Sequence, residues 1–364
     1  MSTRTMRTAG AALAFGMTLT ALAACGSDDS SSGGSTSGGS AAAGGGNEKI
    51  ALLLPESKTA RYEAFDRPYF EAAVKSGCAG CSVLYSNADQ DANKQQQQAE
   101  AALTQGAKVL VISAVDGKAA ASIVASAKAK NVPVIAYDRF IAGANYYVSF
   151  DNFQVGVLQG QTLVDIMKKN GKQGEIVMIN GAPTDANAAD FKKGAMSVLQ
   201  SSGYPIAASY DTPDWSPDKA QQWMESQVTT VKDKLVGVYA ANDGTAGGAI
   251  AALKGGGVNP LPPVTGQDAE LAGIQRLLSG DQAMTVYKAI KPQAEDAAKN
   301  AIALAQGKKP ASTVDKEGVP STLLKPVAVT KDNIKDTVVK DGFWTVEQIC
   351  TGEFAAACTE AGLS

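Results

Sequence analysis

Seven times along this 364-residue chain, a short apolar run ends on charged, amide or aromatic side chains. Lys58 to Tyr62 follow Ile50 to Leu54, Asp138-Arg139 follow Val134 to Tyr137, Asp185 to Asn187 follow Ile176 to Ile179, and Asp214-Trp215 follow Ala207 to Tyr210. Asn242-Asp243, Gln267-Asp268 and Lys288 stand in the same place after Val236 to Ala240, Val264 to Gly266 and Met284 to Tyr287. Ligands of open α/β sheets bind outside the carboxyl ends of the strands, so the recurrence predicts a binding site. Its chemistry suits a neutral polyol. Each hydroxyl donates and accepts, so carboxylate acceptors alternate with Arg, Lys and Asn donors, and aromatic side chains cover the apolar C–H side of a ring. The cation next to Asp138 in sequence, Arg139, predicts a carboxyl that stays ionised. For two positions a second reading stands beside this one: Asp243 and Asp268 each precede a helical run and suit N-capping.

The chain has no histidine, which removes the usual general base of Ser and Cys triads and the commonest metal ligand. No metal or cofactor is expected. Two carboxylates among Asp138, Asp243 and Asp268 would serve a glycosidase at suitable separation, but the cations beside them lower the pKa that a general acid needs raised. Binding rather than catalysis is expected. Net charge is −3, and two units more negative once Arg4 and Arg7 leave with a leader, so no basic face is offered to nucleic acid.

Such a site needs parallel sheets to hold it, and 45% hydrophobic residues suffice for their cores. From Lys49 onward β-branched runs alternate with Ala-rich amphipathic ones. Val83 to Tyr85, Val109 to Ile112 and Tyr146 to Phe150 add to the strands above, and helices are expected at Lys94 to Gln105, Ala119 to Lys130, Gln154 to Lys169, Asp218 to Val231 and Gly244 to Leu253. That order demands right-handed crossovers. The strands are too many for one compact sheet, so the α/β fold is expected as two doubly wound parallel-sheet lobes joined by a hinge and divided near Asp151. A helical stretch at Pro292 to Gly307 and strand-like residues at Leu323 to Val329 bring the chain back. Lobe 1 is expected at 47–151 with about 289–322, and lobe 2 at 152–288 with about 323–345.

Arg4 and Arg7 precede an interrupted apolar run, Ala9 to Leu22, too short to span a bilayer, and Leu22-Ala23-Ala24-Cys25 resembles a bacterial lipobox. The resemblance implies removal of residues 1–24 and a diacylglyceryl group on Cys25, hence an extracytoplasmic protein anchored to the cell membrane. Ser27 to Gly46, almost wholly Ser, Gly and Ala, reads as a flexible tether reaching roughly 25 Å. Four cysteines follow in two close pairs. An even count outside the cytosol predicts disulfides Cys78 to Cys81 and Cys350 to Cys358, the second in a tail at 346–364. The C-x-x-C pair also admits a redox or metal role, but it lies between a helix and a strand, and no second pair or histidine completes a site.

YYVSFDN (146–152), ANDGTAGGAIAALK (241–254), TGQDAELAGIQRLLSG (265–280), MTVYK (284–288) and NIKDTVVKDGF (333–343) resemble the xylose-binding proteins of bacterial ABC sugar importers, within the ribose-type (type I) periplasmic sugar-binding family. The likeness runs from about Lys49 to Phe343. It implies contacts to a monosaccharide, xylose first, from Arg61, Asp138, Arg139, Asn187, Asn242, Asp268 and Lys288, with aromatic packing from Tyr62 and Trp215. It implies two lobes joined by three strands that close on the sugar, and an ABC permease as partner. A monomer is expected. The chain departs from the pattern at Tyr62, where the xylose binders carry tryptophan, and at Ala186, which replaces the first of paired asparagines. The cysteine pairs and the tail beyond Phe343 are additions. Another pentose, a hexose or a sugar-like signal remains open as the cargo. A ligand-sensing domain of a transcription regulator would need a helix-turn-helix ahead of Lys49, where the leader and tether stand.

Overall fold

The computed structural model describes residues 47–363. Cys25 and the stretch from Ser27 to Gly46, where an anchor and a tether are expected, lie outside them.

The first lobe is built on strands that are apolar on both sides. β1 (Lys49–Leu54) sends Ile50, Leu52 and Leu54 to one face and Ala51 and Leu53 to the other, the alternation of a strand covered twice. β2 (Ser82–Asn87) and β3 (Ala107–Ile112) flank it, and β4 (Val134–Tyr137) and β5 (Tyr146–Phe150) extend the sheet, all parallel. The crossovers are α1 (Arg67–Gly77), α2 (Ala92–Thr104) and α3 (Ala120–Ala129). Phe70 and Val74 of α1 cover one face of the sheet, and small residues of α2 and α3, such as Ala99 and Ala127, the other.

Asp151 caps α4 (Asn152–Lys169) by accepting from the Gln154 N–H, and the chain enters the second lobe. Here β6 (Glu175–Asn180) lies between β7 (Ile206–Asp211) and β8 (Leu235–Ala240), again parallel, with α5 (Ala186–Leu199), α6 (Pro217–Val231) and α7 (Asp243–Gly255) as crossovers. The run expected as a strand at Val264 to Gly266 makes a single bridge, Val264 to Val238. α4 and α5 touch backbone to backbone: a Cβ at Gly194 would lie 2.0 Å from the Phe153 carbonyl oxygen. Glycine there sets the depth of α5, whose first two turns carry Asn187 and Phe191. α8 (Leu271–Ser279) and β9 (Thr285–Tyr287) complete this pass.

The chain then returns. α9 (Ile290–Ala305) lays Ala294, Ala297, Ala298 and Ala301 on the first sheet beside α1. β10 (Val314–Lys316) and β11 (Val319–Leu324) form an antiparallel hairpin whose second strand runs parallel to β5. Leu323 and Leu324 pair with Ser149 and Phe150. The last crossing therefore falls at Lys325–Pro326, slightly later than the 322/323 boundary expected. β12 (Val327–Val329) pairs with β9 in the second lobe. Beyond it α10 (Val346–Ile349) and α11 (Ala355–Glu360) are joined by a Cys350–Cys358 disulfide, and Cys78 is bonded to Cys81 between α1 and β2. Among the described residues no helix is long and apolar enough to cross a membrane.

Candidate functional site

Residues beyond the strand ends of both lobes line one shared, narrow cavity. β1 leads to Arg61, which opens a π-helical turn at Tyr62–Asp66. The wide turn brings Asp66 back under the guanidinium, where it accepts from Nε at 2.9 Å and Nη2 at 2.7 Å, and also from the Tyr137 hydroxyl. Arg61 donates further to Gln293 of α9 at 2.7 Å and to Asp138 Oδ1 at 2.9 Å. With every side of the fork engaged, its position is fixed.

Asp138 follows β4 at φ 61°, a left-handed conformation uncommon outside glycine. Its carbonyl holds it there by accepting from Ser149 Oγ at 2.6 Å, Tyr147 Oη at 3.0 Å and Asn187 Nδ2 at 3.0 Å. The carboxylate accepts from the Tyr62 hydroxyl at 2.9 Å through Oδ2. Burial opposes its charge, but Arg61, then Lys288, then Arg139 outweigh that and hold the carboxyl well below the ordinary range. Arg139, the cation expected to do this, ranks last because its guanidinium turns to Asp185 at 2.9 Å and Glu56 at 3.7 Å. Asn187, from the other lobe, uses its amide on the Asp138 backbone and so ties the lobes together.

On the second lobe Asp185 caps α5, accepting from the Asn187 N–H at 2.9 Å, and its other oxygen accepts from Trp215 Nε1 at 3.1 Å. Burial raises the Asp185 carboxyl against the pull of Arg139. The Trp215 ring lies over Gly181, where a Cβ would fall 2.0 Å from it, and edge-on to Phe191. Asn242 caps α7, its Oδ1 accepting from the Thr245 N–H at 2.9 Å. Among the described residues its side-chain nitrogen has no protein acceptor. Asp268, at φ 88°, accepts from Gln267 Nε2 at 3.1 Å and pairs with Lys288 at 3.0 Å.

Four charges from the two lobes close an alternating ring. Arg61 to Asp138 is 2.9 Å, Asp138 to Lys288 4.0 Å, Lys288 to Asp268 3.0 Å and Asp268 to Arg61 4.0 Å. At the rim the lobes meet directly: the Gly117 N–H donates to the Thr184 carbonyl at 3.1 Å, Gln90 to the Asp214 carbonyl at 3.2 Å, and Lys316 pairs with Asp190. The cleft is closed.

The capping alternative is resolved by geometry. Asn242 is the cap of α7, while the Asp243 carboxylate turns away from that helix to accept from Gln282 Nε2 at 2.6 Å, the Glu270 N–H at 2.9 Å and Thr285 Oγ1 at 3.0 Å. Burial pushes its carboxyl up to about 7. Asp268 caps nothing, since Glu270 holds the N-cap position of α8. Every residue that the resemblance implied, Arg61, Tyr62, Asp138, Arg139, Asn187, Trp215, Asn242, Asp268 and Lys288, lines the cavity, together with Thr59, Asp185, Phe191 and Gln267, whereas Lys58, Asp214 and Asp243 of the strand-end groups do not. Thr59, Asp185 and Gln267 stood in the strand-end groups without being singled out. Phe191 lies one helical turn beyond Asn187, a spacing that would have found it.

A family model described as the periplasmic binding protein domain matches residues 50–309. The chain belongs to the periplasmic binding protein family. Its members are solute-binding proteins, not enzymes. Among similar members is the D-xylose-binding periplasmic protein of Escherichia coli (strain K12), 39% identical over 305 residues, with 81% of this chain and 90% of that protein covered. The multiple sugar-binding periplasmic receptor ChvE of Rhizobium radiobacter is 35% identical over 82% of this chain and 92% of its own. Of solved structures, an ABC transporter solute-binding protein from Clostridium phytofermentans with bound β-D-glucose superposes with a TM-score of 0.76 at 29% identity, covering 83% of this chain and all of that one.

Proposed function

We propose that the chain is the sugar-binding component of an ABC importer, taking xylose or a closely related monosaccharide between its lobes and delivering it to a permease. The observation that carries the reading is the ring of Arg61, Asp138, Lys288 and Asp268 across an enclosed cavity, with an aromatic side chain from each lobe, Tyr62 and Trp215, in its lining. Fixed donors alternate with fixed acceptors, as a ring of hydroxyls requires. Similarity to xylose-binding proteins over most of the chain supports the pentose. Similarity to a multiple-sugar receptor and to glucose-bound structures supports a hexose as the second reading.

Enclosure by two lobes answers an energetic demand. Micromolar binding, about −8 kcal/mol, asks roughly 0.8 kcal/mol from each of a pentose's ten or so non-hydrogen atoms, within the ceiling of about 1.5 for very small ligands but demanding. Contact from one side does not supply that. The sugar favours closure because only the closed cleft lets it touch both sets of residues, and the closed form is the one offered to the permease. In this reading the protein works as a monomer outside the cytoplasm, held through a lipid on Cys25; Cys25→Ser then moves it from membranes to the soluble fraction. A thermal-shift screen of pentoses and hexoses tests the function, because a ligand bound only by the native state raises the melting temperature. The expected result is the largest rise with xylose; a rise with no sugar would overturn the proposal, and the largest rise with glucose would favour the second reading.

A further inference from the structure

The tail beyond Phe343 lies outside the resemblance and outside the matched family model, yet Trp344 at its start, with Phe343 just before it, reaches three segments that carry cleft side chains. Phe343 stacks on Phe65 with ring centroids 4.1 Å apart, and Phe65 belongs to the π-helical turn that begins with Tyr62. Phe343 also packs edge-on against Tyr287, the neighbour of Lys288, at 5.1 Å. Trp344 meets the edge of Phe65 at 4.9 Å, and its indole N–H donates to the Ala269 carbonyl at 2.8 Å.

Two of these segments are held in conformations that local sequence does not favour. The turn at Tyr62–Asp66 is π-helical, and Asp268 and Ala269 sit consecutively at φ 88° and 49°. Such backbones persist when surrounding contacts over-determine them. The tail supplies part of those contacts, beside the bonds from the Asp268 N–H to the Val286 carbonyl at 2.9 Å and from the Ala269 N–H to Thr285 Oγ1 at 3.2 Å. Ile349, Cys358 and Leu363 are buried with Phe65, Tyr287 and Phe343 in one cluster, the Cys350–Cys358 bond closes the loop between them, and Gln275 of α8 donates to the Ile349 carbonyl at 3.2 Å.

We propose that Trp344, seated by the disulfide-closed tail, is a positioning residue for the sugar site, its indole N–H fixing the Ala269 carbonyl and through it the carboxylate of Asp268. The inference rests on the reading of the cleft as a sugar site. Trp344→Phe keeps an aromatic ring against Phe65 and removes the donor. In the full chain it lowers affinity for the tightest-binding sugar of the panel about threefold to tenfold, the range one neutral hydrogen bond supports, while the melting temperature without sugar falls by only about 2–4 °C, as loss of one such bond allows. The deciding measurement is the same substitution in an Asp268→Asn background, where it adds no further loss because the carboxylate it positions is gone. Cys350→Ser with Cys358→Ser loosens the seat by a second route and follows the same pattern in affinity, with a lower melting temperature from the lost cross-link. Unchanged affinity in Trp344→Phe, or equal losses in both backgrounds, overturns the inference while leaving sugar binding intact. A wild-type chain that binds no sugar in the panel overturns the functional reading and this inference together.

Discussion

The two halves of the cleft are built in opposite ways. In the first lobe the charged groups are bonded to one another: Arg61 to Asp66, Gln293 and Asp138, Asp66 to Tyr137, Asp138 to Tyr62. In the second, beside the Lys288–Asp268 pair, side chains hang from helix caps, and the side-chain oxygen of Gln267, which lines the cavity, has no protein partner among the described residues. A half with its partners already in place is a rigid charged floor. A half with free hydrogen-bonding capacity is where a ligand's hydroxyls are counted.

The sharpest way to break this contrast is Asp138→Ala. It removes one member of a buried network and leaves Arg61 and Lys288 under-compensated, which costs about 3–5 kcal/mol. Denaturant unfolding is expected to show that loss of stability, and calorimetry no detectable sugar binding. Asp268→Asn should separate the two properties: affinity falls roughly tenfold to a hundredfold, the loss of one charged hydrogen-bonding partner, with a smaller loss of stability than Asp138→Ala. Equal destabilisation by both would erase the distinction between floor and counting side. Tyr62→Phe strips the phenol donor from Asp138 and should cost the sugar-free protein about 1 kcal/mol. Saturating sugar recovers part of it, because a ligand hydroxyl can donate in its place, so the melting-temperature deficit narrows on adding sugar.

The smallest effect is a slope. Asp138, with its folded pKa depressed, contributes stability that is present above the ordinary carboxylate value near 4 and lost only as the pH falls below it. Asp243, raised to about 7, contributes stability that is present below that ordinary value and lost as the pH rises through 7. Asp243→Asn imitates the protonated form. Relative to the wild type its melting temperature should therefore rise from pH 5 to pH 8, and a difference constant with pH would show that Asp243 does not titrate.

Most of the sheet framework was legible because runs such as Val109 to Ile112 and Val134 to Tyr137 are apolar at every position and are closed by polar residues. The side chains facing the cavity were legible for the same reason, most of them lying in the polar segment that follows a strand. Their supports were not. Asp66 reaches Arg61 through a π-helical turn that shifts the usual helical spacing, and Gln293 arrives from 232 residues away. Asp243 looked like a cap because capping is a local rule. Its real partners, Gln282 and Thr285, lie about forty residues on and are brought beside it by α8 and β9. Val264 to Gly266 reads as a strand by composition, yet only Val264 finds a bridge.

The return of the chain to the first lobe fixes the order in which the molecule can be finished. Synthesis runs from the amino end, and domains generally fold as units as they emerge. The second lobe has its three parallel strands and their crossovers in one stretch, from α4 to α7. The first does not: its β5 edge waits for β11, and its α1 face for α9, both made after that stretch. While residues 290–324 are still on the ribosome, the older half has an unpaired strand edge and an uncovered apolar face, so the part of the protein that is made first cannot be finished until the parallel strands of the second lobe have been made.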